Sequence, residues 1–436
     1  MRSERALVRL GDHVELATGY PFKSNGYTTE SGAIKLLRGD NVAQGVLRWE
    51  DAKRWPASDT QTVQMYVLRE DDVVLAMDRP WISAGLKFAH VRRTDLPCLL
   101  VQRVARLRAK QGLDSRFLRY IVGSKEFTDY ILSVQTGTAV PHISANQIAA
   151  FRFVLPPIEE QQEVGELLGA LDDRIDFLRQ TNSTLESIAQ ALFKSWFIDF
   201  DPVRAKAEGR EPEGMDTATA ALFPAGFEES ALGLIPKGWT VRSLDSFATY
   251  LNGLALQKYP AESEDEYLPV IKIAQLRAGH TNGSDRASAR LKPEYVVRDG
   301  DVLFSWSGSL EVELWCGGEG ALNQHLFKVT SSEVPKWFYY LATKHFLPGF
   351  RETAAHKATT MGHIQRGHLT ASRLALPPAP VMRALSSVMG PLLERRISGA
   401  LQARELAAVR DSLLPRLVSG RLRLPEAVEA AEAAAA

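Results

Sequence analysis

The stretch LPPIEEQQEVGELLGALDDRIDFLRQTNSTLESIAQALFKSWFIDF, Leu155 to Phe200, decides how the chain is read. Its seam residues are Val164, Leu168, Leu171, Ile175, Leu178, Asn182, Leu185, Ala189, Leu192 and Trp196, an unbroken four-three alternation. That is the period of a helix burying one narrow seam against another helix. Pro156 and Pro157 bar helix upstream, and Glu159, Glu160 and Glu163 put negative charge at the positive end of the helix dipole. At 1.5 Å per residue, a helix over 158–200 is roughly 60 Å long. Such a helix is too long to pack inside one ordinary domain and is expected to join or space two. Asn182 sits on the seam, where a polar residue fixes register and partner at some cost in stability. Periodicity alone fits a plain core helix of one large domain equally well. A second copy of the same arrangement separates the two readings.

With 436 residues the chain has room for two or three domains. An apolar content of 45% and a charged content of 24% are those of a soluble globular protein. No apolar run approaches the roughly 18 residues that span a bilayer, and MRSERALVRL lacks a secretory core, so a cytoplasmic protein without membrane contact is expected. Cys98 and Cys316 exclude a disulfide framework and cannot by themselves hold a structural zinc ion. The net charge of zero conceals a segregation. Residues 1–157 carry 22 Lys+Arg against 16 Asp+Glu, whereas residues 158–234 carry 6 against 16. Residues 235–377 carry 16 against 14, and 378–436 carry 8 against 6. A basic lobe beside an acidic helical segment fits a polyanion-binding module attached to a protein-binding one, and equally an ordinary solvated surface.

The first lobe alternates short apolar runs, such as AIKLL, DDVVLAM and LLVQRVARL, with Gly, Pro, Asn and Asp, which reads as strands and turns. Residues 114–133 have helical spacing, with Asp114 or Ser115 as the cap. After Phe200, residues 201–234 are rich in Pro, Gly, Ala and acid and read as a linker. The first pattern then restarts. VRLGDHVELATG (8–19) resembles VRSLDSFATYLNG (241–253), and AIKLL (33–37) resembles VIKIA (270–274). YVLREDDVVLAMD (66–78) resembles YVVRDGDVLFSWSG (295–308), and VQRV (101–104) resembles NQHL (323–326). TAVPHI (138–143) resembles TTMGHI (359–364), and LPP recurs at 376–378. A second long helix, over about 381–418, follows. Its seam includes Ile397, Leu401 and Leu413, but the spacing breaks near Gln402–Glu405, and Gly390-Pro391 should kink its start. The Ala/Glu-rich tail, 421–436, is expected to be flexible. The chain is a tandem duplication of lobe plus long helix.

LPPIEEQQ opening a long helix, ALFKSWFIDFDPV closing it, GYPFK at 19–23, RDGDVLFS at 298–305, NQH at 323–325, and the two HI pairs at 142 and 363 together resemble the DNA-specificity subunit of a type I restriction-modification enzyme. The resemblance runs over essentially the whole chain. It implies an α/β architecture: two similar mixed α/β target-recognition domains, separated by two long helices forming an antiparallel coiled coil. The expected bounds are a domain at 1–157, a helix at 158–200, a linker at 201–234, a domain at 235–378 and a helix at 379–420. It implies that each domain reads one half of an asymmetric split sequence in double-stranded DNA. The helices would set the gap and dock two modification (methyltransferase) subunits, and through them restriction/translocase subunits. S-adenosylmethionine, ATP and Mg2+ are then expected in those partners, with no cofactor in this chain. The second junction, LPPAPVMR, lacks the acidic run, and DRPW (78–81) stands where the second lobe has SGSL (307–310). These departures bear on helix capping and on one recognition loop.

Half-site recognition needs Lys and Arg for phosphates and a few donors and acceptors for base edges. Lys23 reaches a phosphate or is a solvated surface lysine. Arg38 and Asn41 in LLRGDN contact DNA or merely form a turn, and Arg79, Trp81 and Lys87 flank a proline turn with the same two readings. Lys272, Ser307, Gln324 and His325 are the second-lobe candidates, with structural hydrogen bonding as the competing role. His142 and His363, and likewise Asp72 and Asp301, recur in both lobes, which argues for architecture. On the helices, Val164, Leu168, Leu171, Ile175, Leu178, Asn182, Leu185, Leu192, Trp196, Ile397, Leu401 and Leu413 are the spacer and partner positions. No phosphate loop, HExxH, CxxC or GxSxG occurs, so no catalytic or metal site is expected. A duplicated protein-interaction scaffold without DNA binding, and a diverged stand-alone restriction or modification enzyme, remain as rival classes.

Overall fold

The computed structural model describes residues 6–82, 85–137, 139–356, 362–422 and 424–435. The first residue of the TAVPHI repeat (Thr138), three of the TTMGHI repeat (Thr359–Met361), and Ala436 of the tail lie outside the described residues. The chain divides into two compact units, Met1–Arg174 with Glu405–Ala436, and Ile175–Arg404.

The repeat seen in the sequence is a repeat of topology. Strand Ala6–Arg9 pairs antiparallel with Arg152–Leu155, which returns the first lobe to its own start at the LPP junction. Thr240–Ser243 pairs with Arg373–Leu376 in the same way. Between these ribbons each lobe folds an antiparallel four-stranded sheet. The order is Val14–Thr18, Val104–Ala109, Val73–Ala76, Phe88–His90 in the first lobe. It is Thr249–Asn252, Leu326–Thr330, Val302–Ser305, Val312–Leu314 in the second. A smaller mixed sheet follows, with Ile34–Leu37 parallel to Cys98–Leu100, and Leu268–Ile271 parallel to Gly320–Leu322. The strands VVLA and VLFS are buried along their whole length, because both faces of the sheet are covered.

The helical stretch at 114–133 is two helices, Ser115–Val122 and Lys125–Val134. Asp114 caps the first by accepting from the Phe117 N–H, and Ser124 caps the second by accepting from Phe127. The break has a steric partner: a Cβ on Gly123 would stand 2.7 Å from the Phe88 ring tip. The second lobe uses one helix here, Lys336–His356.

Both long helices are 40 residues long, Ile158–Phe197 and Ala379–Val418. The interruptions expected at Gly390-Pro391 and Gln402–Glu405 do not end the second helix. Leu385, Met389, Leu393, Ala403 and Leu406 are buried on either side, and this packing outweighs the hydrogen bond lost at one proline. Val164, Leu168, Leu171, Ile175, Leu178 and Trp196 are buried, and Leu413 with them. Asn182, Leu185, Leu192, Ile397 and Leu401 are half-buried. In the second unit the two helices run antiparallel, with Asn182 against Gly399 and Glu186 paired to Arg396. In the first unit Asp172 pairs with Arg410 at 2.7 Å.

The junctions explain their differing sequences. Gln161 is buried and accepts from the Asp114 N–H (2.9 Å) while donating to the carbonyls of Gly112 and Pro156. This fastens the first helix to the loop before Ser115. Its counterpart four residues past the second LPP is Met382, also buried, so packing replaces the hydrogen bonds. The segment 201–234, expected as a linker, is structured. It holds the helices Asp201–Ala207 and Thr217–Ala221 and a hairpin of Phe227–Ser230 with Gly233–Pro236. Val203 and Phe223 are buried beside Phe197 and Trp239, so apolar residues at irregular spacing do the work that periodicity does in a helix. The tail expected to be flexible contains the helix Leu424–Ala435, with Ala427 fully buried. No helix among the described residues is long and apolar enough to cross a membrane.

Candidate nucleic-acid interface

Strand register gathers the candidate loops at one end of each lobe. In the first lobe Thr18 lies opposite Ala105, Ala76 opposite Val104, and Leu37 opposite Leu100. Gly19, Met77, Arg38 and the turn Val101–Arg103 therefore emerge side by side. Gly19 has no room for a side chain, since a Cβ would stand 2.3 Å from the Val101 carbonyl carbon. Gly253 is in the same position, with its Cβ site 2.2 Å from the Asn323 oxygen.

A shared backbone frame closes this end. The Met77 N–H donates to the Arg103 carbonyl (2.8 Å), that of Arg79 to Pro141 (2.6 Å), and that of Ile143 to Met77 (2.9 Å). The second lobe repeats all three: Trp306 to His325 (3.3 Å), Gly308 to Gly362 (2.9 Å), and Ile364 to Trp306 (3.0 Å). Asp78 bridges His142, and Ser307 bridges His363, by backbone pairing. The two histidines thus mark an architectural clamp, and the His142 ring adds a contact to Thr136 Oγ1 at 3.1 Å. Asp72 and Asp301 are architectural too. Each accepts from the N–H three residues back, at Arg69 and Arg298, and each pairs with a strand cation, Arg108 and Lys328.

On this common frame the side chains differ. Arg103 donates to Asp78 at 3.0 Å, and at the same two positions Ser307 Oγ lies 3.0 Å from His325 Nδ1. Asp78 and Arg103 were absent from the sequence candidates. The signal was present in the match of VQRV to NQHL, which places Arg103 opposite His325. Trp306 was missed as well; its indole donates to Asn252 Oδ1 (2.9 Å), and its ring lies 5.8 Å from His325.

Arg38 and Lys272 occupy matching positions after the parallel strands, which corrects the AIKLL–VIKIA match by three residues, since Leu37 and Ile271 are the equivalent strand ends. Each N–H donates to an amide side chain three residues on, Asn41 Oδ1 at 3.0 Å and Gln275 Oε1 at 3.3 Å. Asn41 is therefore corrected from candidate contact to turn clip: it is buried, and its amide nitrogen donates to the Arg48 carbonyl. Ser307 is likewise buried and spent on His325. Arg38 is half-exposed with Asp40 at 3.5 Å, and Lys272 pairs with Asp285. Lys23 is exposed beyond Phe22, whose ring packs on Tyr20 and Trp55.

Arg79 is exposed, and Trp81 is 42% exposed on a hairpin of Trp81–Ile82 with Gly85–Leu86. Burial holds the Lys87 ammonium below the usual lysine range; Arg79 adds to this, while Asp40 and Asp78 oppose it. Gln324 Nε2 lies 3.4 Å from His325 Nε2. Nearby in the sequence, Glu311 is ion-paired to Arg351, and Glu313 to Lys344 and Arg396. Among the described residues no group of His, Cys, Asp and Glu is placed to hold a metal ion. Burial pushes the Cys98 thiol up to about 12.

Residues 3–187 match the model of the type I restriction modification DNA specificity domain. The first lobe and most of the first long helix are thus similar to that specificity domain. The type I restriction enzyme EcoAI specificity subunit of Escherichia coli is 38% identical over 158 residues, which are 36% of this chain and 26% of that protein. The MjaIX specificity subunit of Methanocaldococcus jannaschii is 26% identical over 303 residues, 67% of this chain and 66% of that one. The chain thus spans about a quarter of the first relative and just under two thirds of the second. The type I restriction-modification S subunit structure from M. genitalium superposes with a TM-score of 0.51 at 12% identity, covering 96% of this chain and 97% of that one. That likeness is one of fold.

Proposed function

We propose that the chain is the non-catalytic sequence reader of a type I restriction-modification system, each lobe binding one half of an asymmetric split target in double-stranded DNA. Residues 1–157 and 235–378 are the reading domains. The two long helices set the gap, dock two methyltransferase subunits, and through them bring restriction and translocase subunits to the site. S-adenosylmethionine, ATP and Mg2+ belong to those partners, and the assembly works in the cytoplasm.

One observation carries this reading. The two lobes hold the same loops on the same backbone hydrogen bonds yet place Asp78 with Arg103 in one and Ser307 with His325 in the other. A structural pair would be preserved between copies, whereas readers of two different half-sites must differ. Lys23, Arg38, Arg79, Trp81, Lys87, Lys272, Gln324 and His325 remain the proposed contacts around it. The excess of Lys and Arg in residues 1–157 supplies sequence-independent attraction.

The test is to co-express the chain with a type I methyltransferase subunit with which it assembles, and to map methylated adenines in host DNA. One bipartite motif with a fixed unspecified gap is expected. A stable complex that methylates no motif would overturn the reading.

A further inference from the structure

Within the first lobe's interface, one arginine is both exposed and oriented. The Arg103 side chain is 65% exposed, and Asp78 accepts from its Nη1. Its Nε and Nη2 edge has no hydrogen-bond partner among the described residues. Arg103 also holds its backbone at φ 68°, and Arg79, the residue after Asp78, is at φ 45°. Left-handed backbone is disfavoured for a side chain with a Cβ, and such residues cluster at functional sites. In the second lobe the Arg79 position is Gly308 at φ 65°, so the turn itself favours glycine.

A guanidinium gripping a phosphate needs no orienting carboxylate, and a carboxylate beside a phosphate is repelled by it. A base edge reverses both points. The free fork of an arginine matches O6 and N7 of guanine in the major groove, and a neighbouring carboxylate accepts from the cytosine amino group. We infer that Arg103, positioned by Asp78, is the residue by which the first lobe recognises a guanine in its half of the target. His325, held by Ser307, takes that place in the second lobe and reads its own half. This inference rests on the DNA-reading function proposed above.

The experiment uses the full chain in complex with its methyltransferase partner. Host DNA methylation is mapped for the wild type, Arg103→Ala and Asp78→Asn. With Arg103→Ala, one guanine position in one half-site becomes degenerate, while the other half and the gap are unchanged. Asp78→Asn relaxes the same position in part. On duplexes carrying the wild-type motif, discrimination at that position falls about 5- to 150-fold in Arg103→Ala, the range for one bidentate base contact. The slope of log affinity against log salt stays the same. An unchanged motif with a slope reduced by about one identifies a phosphate grip and overturns the inference. Should Arg103→Ala abolish methylation altogether, Asp78→Asn decides: a relaxed guanine position supports the inference, and an intact one overturns it. A wild-type complex with no motif overturns the underlying reading, and the inference with it.

Discussion

Asn182 occupies the space that Gly399 leaves open: a Cβ on Gly399 would stand 2.6 Å from Asn182 Oδ1. The polar seam residue and the glycine facing it are thus one device, fixing the register of two antiparallel helices. Gly399→Leu must expel the amide and overfill the seam, at a cost of about 1–3 kcal/mol. Gly399→Ala displaces only the far end of a flexible side chain and gains helix propensity, so it should be close to neutral. Urea unfolding of the full chain measures both. Equal stability of wild type and Gly399→Leu would show that the helices are not closely apposed there.

Glu186 is the electrostatic centre of the second unit. It lies 2.9 Å from Arg396 and 3.0 Å from Lys344, and the Tyr340 hydroxyl donates to it at 2.9 Å. Glu186→Ala leaves Arg396 and Lys344 sharing Glu313 alone and the Tyr340 hydroxyl without this acceptor, so it should cost about 1–3 kcal/mol, less than a fully broken buried pair. Burial pushes its carboxyl up, but Arg396 and Lys344 outweigh this and hold it below the ordinary 4.5. A depressed folded value means the stabilisation is complete above 4.5 and is lost as pH falls through the lower folded value. Glu186→Gln should flatten stability against pH in that range. A variant as acid-sensitive as the wild type would remove Glu186 from this role.

His90 gives the first lobe a different acid response. Burial, with Arg119 and Arg92 beside it, lowers its imidazole from 6.5 to about 4, and Arg119 Nη1 lies 3.2 Å from its Nε2. The unfolded chain therefore takes up a proton between those values that the fold refuses. Stability from this residue is full above 6.5 and falls as pH drops toward 4, by roughly 2–4 kcal/mol in all. The matching strand position in the second lobe is Leu314, opposite Val302 as His90 is opposite Val73. Hydrogen exchange at pH 5 should show first-lobe strands opening before their second-lobe counterparts, and His90→Gln should remove the difference. Simultaneous opening in the wild type would exclude the histidine as the cause.

The duplication and the long helices were legible because both are periodic: a 4-3 seam and a repeated order of short motifs survive divergence. The proposed interface was legible only in part. Lys23, Arg38, Arg79 and Lys272 stand out as cations in turns, yet nothing local marks Arg103, which follows a glutamine in an apolar run. Its significance comes from a partner 25 residues away, Asp78, brought to it by strand register. Asn41 failed the other way, because a turn clip and a base reader use the same amide, and only its burial tells them apart. The 201–234 segment was misjudged because Phe223 and Val203 pack singly, without a period to announce them.

Lys272 offers a gain-of-function test of the proposed phosphate contacts. Its ammonium is shared with Asp285, and both side chains are substantially exposed, at 45% and 68%. An exposed pair of this kind contributes little to stability, so Asp285→Ala should leave the melting temperature almost unchanged while freeing a cation. DNA binding should tighten, and the salt dependence should steepen by up to about one in slope. Lys272→Ala should weaken binding without altering the motif. If Asp285→Ala leaves both affinity and slope unchanged, Lys272 does not face the duplex.

The spacer role proposed for the helices makes a geometric prediction that separates it from sequence reading. Because Asn182 faces Gly399 and Glu186 faces Arg396 in antiparallel register, lengthening one helix alone slides these partners past each other. Seven residues inserted into both helices, between Arg174 and Ile175 and between Arg404 and Glu405, keep each unit's own pairs intact. Seven residues add about 10 Å of rise, which corresponds to about three base pairs of duplex. The methylated motif should keep both half-site sequences and gain a longer gap. The single insertion should lose assembly with the methyltransferase or accept no defined gap. Altered half-sites in the double insertion would mean that the helices take part in reading bases, and an unchanged gap would mean that they do not measure it.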